Sequence, residues 1–122
     1  MSVKKAILII DDSVLITERL LGMLQVFKPN AVIKSAETSS EAINILQQMP
    51  VNVILLDINL RGESGIELLK IIKENYPAIK VIMCTNRGSS YYKTLCKKIG
   101  ADSFIDKSKE FDQLPSIVSS LL

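Results

Sequence analysis

Apolar positions along the chain follow two alternating rhythms. Five short runs rich in valine and isoleucine have the character of buried strands: Ala6 to Ile10, Val32 to Ala36, Val53 to Leu56, Val81 to Cys84, and Ser103 to Ile105. The longer stretches between them keep helical spacing. Ile16, Leu20, Met23, Leu24 and Phe27 make one apolar stripe; Ala42, Ile45, Leu46 and Met49 make another, and Tyr92, Leu95, Cys96 and Ile99 a third. Thr38 with Glu41, and Ser64 with Glu67, have the spacing of capping boxes at helix starts. Gly100 stops the helix that carries Lys97 and Lys98 in its last turn, at the negative end of its dipole. Pro115 is harmless only in a first turn, so the last helix is expected to be short and to begin near Asp112. Strands alternating with helices predict one α/β domain over residues 1–122, a doubly wound (βα)5 unit around a parallel five-stranded sheet. Ligands of such sheets bind beyond the carboxyl ends of the central strands.

Composition narrows the chemistry. A chain of 122 residues is long enough for a single core. Fifteen basic against thirteen acidic residues leave +2, too little to recruit nucleic acid or an anionic membrane by charge alone. Histidine is absent, which removes Ser-His-Asp and Cys-His catalysis, histidine zinc ligation and a phosphohistidine-carrier role. Two cysteines, Cys84 and Cys96, cannot make a four-thiolate metal site; one disulfide between them is the alternative to the favoured reading, two buried thiols in a reducing cytoplasm. No apolar run approaches the ~20 residues of a membrane span. The apolar stretch behind cationic Met1–Lys5 stops at Asp11, too short for a signal-peptide core. These features predict a soluble, cytoplasmic protein that binds neither membrane nor nucleic acid directly.

The acidic residues at the strand ends carry the chemistry. Asp11 and Asp12 end the first strand and Asp57 the third. If those strands are neighbours, three carboxylates converge and repel one another in a partly desolvated crevice, unless a cation offsets them. Oxygen ligands without histidine or thiolate favour Mg²⁺ or Mn²⁺. Thr85 at the fourth strand end and Lys107 after the fifth add a hydroxyl and an ammonium, groups suited to phosphoryl oxygens. Each residue alone has a plainer reading, as a helix cap, a turn residue or a solvated charge. Their joint placement at four strand ends outweighs those readings.

On these residues the chain resembles the receiver domain of the response-regulator family over essentially its whole length. The matching positions are Asp11-Asp12, Asp57 after Val-Ile-Leu-Leu, Gly65, Thr85, and the run Gly100-Ala101-Asp102-Ser103-Phe104-Ile105-Asp106-Lys107. The resemblance implies the flavodoxin-like strand order 2-1-3-4-5. It implies Asp57 as acceptor of a phosphoryl group from a sensor histidine kinase or phosphotransfer protein. Mg²⁺ would be held by Asp12, Asp57 and the Asn59 carbonyl directly and by Asp11 through water. Lys107 would pair with Asp57 before phosphorylation and with the phosphoryl group afterwards. Thr85 would then move inward and Phe104 rotate behind it, a population shift that reaches an output domain or target protein. A phosphorylation-dependent dimer is compatible with this scheme. The domain would accept and lose its own phosphoryl group rather than act as an enzyme.

Several positions depart from the family pattern. Ser108 stands where proline commonly follows the lysine, which leaves the Lys107–Ser108 isomer and the reach of Lys107 open. Arg61 also replaces a common proline, and Asn86 a small residue. Arg87 and Asn59 are expected to flank the path of a hydrolytic water and to set the lifetime of the acyl phosphate. Lys93, Lys97 and Lys98 form a solvated helix face or a docking patch for an acidic partner. Alternatives are a phosphorylation-independent interaction module, a small phosphohydrolase with an aspartyl nucleophile, and a mononucleotide binder. The last is opposed by Asp11-Asp12, which would repel phosphate where that class has a phosphate loop. Kinase, stimulus and output stay open, as does whether the chain is a stand-alone regulator or part of a longer transcription factor.

Overall fold

The computed structural model describes residues 4–86 and 90–122. Strands β1 (Ala6–Ile10), β2 (Val32–Ala36), β3 (Val53–Asp57), β4 (Lys80–Thr85) and β5 (Ser103–Asp106) alternate with helices α1 (Val14–Phe27), α2 (Ser39–Gln48), α3 (Gly65–Asn75), α4 (Ser90–Ile99) and α5 (Leu114–Leu121). The strands form one parallel sheet in the order β2-β1-β3-β4-β5, as expected. The order reverses beside β1, and this places the ends of β1 and β3 next to each other.

Both faces of the sheet are covered, which is why β1 and β3 read as unbroken apolar runs. Leu8, Ile10, Ile54, Leu56 and Met83 pack against Leu46 of α2, Leu69 of α3 and Cys96 of α4. Ile7, Ile9, Val53, Leu55 and Cys84 face Leu20 and Leu24 of α1 and Leu114 and Val118 of α5. Each such leucine or isoleucine contributes about 1.5–3 kcal/mol through burial. Cys84 and Cys96 are free, buried thiols in the cores on opposite sides of the sheet.

Side chains start the helices. The Ile16, Glu41 and Glu67 amides donate to Ser13 Oγ, Thr38 Oγ1 and Ser64 Oγ at 3.3, 3.2 and 3.3 Å. Glu41 reaches back to the Glu37 amide, whereas Glu67 turns to Lys70 instead of closing its box. Gly100, with φ +123°, ends α4 as its sequence position predicts.

Four features differ from the apolar pattern. Strands β3, β4 and β5 extend to Asp57, Thr85 and Asp106, polar last rungs that keep their ladder pairing. A 3₁₀ turn at Phe111–Gln113 precedes α5, so the regular helix begins at Leu114 rather than near Asp112, with Pro115 in its first turn. Asn59–Leu60 and Glu63–Ser64 form an unanticipated antiparallel hairpin around Gly62, whose φ is +71°. Phe27 and Tyr92 are 48% and 37% exposed, because their stripes run past the sheet they pack on. No described helix is long and apolar enough to cross a membrane.

Gly65 fixes the loop after β3. Its amide donates to the Ile58 carbonyl at 2.7 Å, and an added Cβ would sit 1.9 Å from the Asp57 carbonyl oxygen. Backbone meets backbone there, so the clash cannot be relieved by a rotamer change. Gly65→Ala is expected to cost about 3 kcal/mol in urea unfolding; a change within error would show that the loop yields freely.

Candidate functional site

The register of the sheet assembles the site. Ile10 pairs with Leu56, so the residues that follow, Asp11 and Asp57, emerge side by side. Asp57 pairs with Cys84 and Thr85 with Asp106, which brings the ends of β4 and β5 alongside. The carboxylates of Asp11, Asp12 and Asp57 each place an oxygen within 4.8 Å of the others. They share an open cleft of about 520 Å³ with Asn59, Thr85 and Lys107.

Lys107 holds this cluster together. Its Nζ donates to Asp57 Oδ2 at 3.1 Å and makes a short contact with Asp11 Oδ2. The Lys107 and Asp11 side chains are only 4% and 3% exposed, so the pair is largely shielded from solvent. Backbone amides take the remaining carboxylate oxygens: Ser13 donates to Asp11 Oδ1 at 2.9 Å and Asn59 to Asp57 Oδ1 at 3.3 Å. Among the described residues, the ion pairs of Lys107 do not extend to Asp12.

The local field follows from this packing. Burial pushes the Asp57 carboxyl above its ordinary value; Lys107 draws it down, and the Asp11 charge adds to the rise. Burial opposes the Lys107 ammonium, but its hydrogen bond to Asp11 and the charges of Asp57 and Asp11 outweigh that and hold it above an ordinary lysine. Cys84, beneath the cluster, is pushed up to about 12 by burial, so its thiol stays neutral. One ammonium thus faces three carboxylates, and the donor set is hard oxygen throughout. The residues fit a divalent cation of the magnesium type.

The expected residues therefore come together: Asp11, Asp12, Asp57, Asn59, Thr85 and Lys107 line one cleft. Phe104 lies apart, half-buried against the α2–α4 core and beside a smaller pocket that includes Lys93 and Lys97. Thr85 stands two residues beyond Met83, which pairs with Phe104, so Thr85 and Phe104 share one face of the sheet. Arg87 lies outside the described residues. Two contributors were missed in the sequence. Ser13 caps α1 and steadies Asp11, a role its place after Asp11-Asp12 could have signalled. The Lys107–Asp11 pair joins residues 96 apart, and no local pattern announces it.

Lys107→Met orphans two carboxylates and is expected to cost the metal-free protein about 3 kcal/mol in urea unfolding, with partial recovery in Mg²⁺. A loss below about 1 kcal/mol would show that the ammonium does not balance the cluster. Asp12→Asn removes charge without unpairing Lys107. It should stabilise the metal-free protein by about 1 kcal/mol and shrink the rise in melting temperature on adding Mg²⁺. Metal-free destabilisation would contradict the repulsion.

Comparison with known proteins identifies the family. The family model for the response regulator receiver domain matches residues 7–119. An NtrX-like response regulator of Rickettsia felis is 34% identical over 112 residues, covering 88% of this chain and 23% of its own length. The transcriptional regulatory protein DegU of Brevibacillus brevis is 29% identical over 111 residues, covering 91% of this chain and 47% of its own. The chain thus spans about a quarter to a half of the length of these relatives. Among solved structures, the signal receiver domain of a DNA-binding response regulator from Colwellia psychrerythraea 34H superposes with TM-score 0.90 at 26% identity, over 97% of this chain and 98% of that one. A CheY-like receiver domain protein from Methanospirillum hungatei JF-1 gives TM-score 0.84 at 28% identity, over 98% and 94% of the two chains. With its sheet order, its acidic cleft and these relatives, the chain belongs to the response regulator receiver domain family.

Proposed function

We propose that the cleft takes a phosphoryl group on Asp57 and that this switches the domain. The observation that carries the reading is the buried ammonium of Lys107 joining Asp11 to Asp57 where β1, β3 and β5 end. The donor is a phosphohistidine on a sensor histidine kinase or phosphotransfer protein. A carboxylate oxygen of Asp57 forms the new bond to phosphorus, and the phosphorus–nitrogen bond breaks with its electron pair returning to the imidazole of the donor. Asp57 is a weak nucleophile, so rate comes from positioning and from cancelling charge on the phosphoryl oxygens. Asp11, Asp12, Asp57 and the Asn59 carbonyl would hold Mg²⁺, with Mn²⁺ suited to the same oxygens, and the ion supplies that neutralisation when bound. Lys107 passes from the carboxylate to a phosphoryl oxygen, and the Thr85 hydroxyl bonds another.

Phosphorylation adds about −1.5 to −2 units of charge and three strong acceptors. Thr85 moving toward them vacates space on the sheet face it shares with Phe104, whose ring fills it, altering the surface around α4 and β5. The change is read by an output domain or target protein, and a phosphorylation-dependent dimer is one form of that readout. Receiver domains are signalling modules rather than turnover enzymes, which fits a group taken and lost on the domain itself. Asn59 and Arg87 set the lifetime of the acyl phosphate, and the cytoplasm is the compartment where kinase and receiver meet.

Incubation with Mg²⁺ and acetyl phosphate, followed by intact-mass measurement, should show the gain of one phosphoryl group. Asp57→Ala and wild type in excess chelator should show none. A folded wild type that gains no mass would overturn the reading in favour of a phosphorylation-independent interaction module. Sustained hydrolysis of an added phosphate ester would favour a phosphohydrolase.

A further inference from the structure

The turn after β5 is closed around Asp106. The Asp106 Oδ1 accepts from the Ser108 amide at 2.9 Å and from the Ser108 hydroxyl at 2.6 Å. Its backbone amide donates to Glu110 Oε1 at 3.2 Å, and its carbonyl accepts from the Glu110 amide at 2.8 Å. Lys107 sits inside this clamp. On the near side its own amide donates to the Thr85 carbonyl at 2.7 Å, and on the far side its peptide bond to Ser108 is trans. The Ser108 hydroxyl and amide hold the Asp106 carboxyl below the usual carboxylate range, so it stays an acceptor at neutral pH.

Lys107 sends a long, flexible side chain inward to two carboxylates, and its direction depends on the backbone on either side. Proline at position 108 would restrict that backbone by its ring. Serine has no ring, but it brings an amide and a hydroxyl, and both are spent on the one carboxylate preceding Lys107. Glu110 then fixes the Asp106 backbone from the other side, and the clamp lies at the surface.

We infer that Asp106 and Ser108 are positioning residues that aim the Lys107 ammonium at the Asp11–Asp57 cleft, a role resting on the phosphoryl-transfer reading above. Neither residue touches the reacting atoms. The clamp acts on the rate of phosphoryl transfer through Lys107, while the carboxylates themselves keep their places at the strand ends.

Single-turnover phosphorylation by acetyl phosphate at saturating Mg²⁺ tests this. Asp106→Ala should slow the maximal rate roughly tenfold, and Ser108→Ala roughly threefold because its amide bond remains. The double variant should be no slower than Asp106→Ala, since the hydroxyl then has no carboxylate to hold. Asp106→Asn keeps an acceptor oxygen and Ser108→Thr keeps both donors, so both should stay near the wild-type rate. Mg²⁺ affinity by calorimetry should not fall in any of them, because the carboxylates stay in place and lose only a competing cation. Additive slowing, or equal slowing in the conservative variants, overturns the inference, as does a fall in melting temperature with no change in rate. A wild type that takes no phosphoryl group defeats the reading of the site instead. The clamp is then read by unfolding metal-free Asp106→Ala, Lys107→Met and their double variant: non-additive effects support it and additive ones overturn it.

Discussion

Like charges do not gather in a protein without something to hold them. The ammonium of Lys107, almost entirely buried, answers two of the three carboxylates that the sheet brings together, and the rest of the site is arranged around that fact. At the short separations found here, each pair of carboxylates repels by several kcal/mol even at an effective dielectric near ~20. One lysine cannot balance three negative groups. The remaining charge is what makes the cleft a fit for a divalent cation, and the same surplus is the reason the metal-free domain is expected to gain stability when one carboxylate is neutralised.

Holding the carboxylates in place requires a stiff frame, and the frame is made of ordinary parts used at tight tolerance. The interior strands are buried on both faces, so β1 and β3 cannot shift relative to each other without moving the cores on both sides. Gly65 lets α3 begin against the Asp57 carbonyl, where any side chain would collide with backbone. At the opposite end of the sheet, Lys73 donates to the Ile79 carbonyl and to Asp102, and Asp102 also accepts from the Val81 amide, which ties the starts of β4 and β5 to α3. The Asp102 of the Gly100–Lys107 run is thus a strut rather than part of the cleft. Rigid strand ends with a polar cluster at one edge are the frame that the proposed movement of Thr85 and Phe104 requires.

Much of this was written in local pattern. The alternation of apolar runs with helical stripes is set by residue type alone, and it carried the five strands, the five helices and the class of sheet. Caps at Thr38 and Ser64 are equally local, because a helix start satisfies its orphan amides within a few residues. The candidate residues could be named because each sits at a strand end, where a parallel sheet places its ligands. Apolarity stopped short of the last rungs, Asp57, Thr85 and Asp106, since a residue can keep its ladder bonds while its side chain leaves the core, and it counted Phe27 and Tyr92 with the core although both are exposed.

Residue type and spacing set the order of elements and the group of side chains able to do chemistry. The tertiary structure decided which of them touch. The pairing of Lys107 with Asp11 as well as Asp57, the close approach at Gly65, and the trans turn clamped by Asp106 and Ser108 depend on register and on how the chain crosses over. Periodicity carries information over a few residues, whereas charge pairing acts through space between segments far apart along the chain. Only the folded sheet brings those segments within reach of one another.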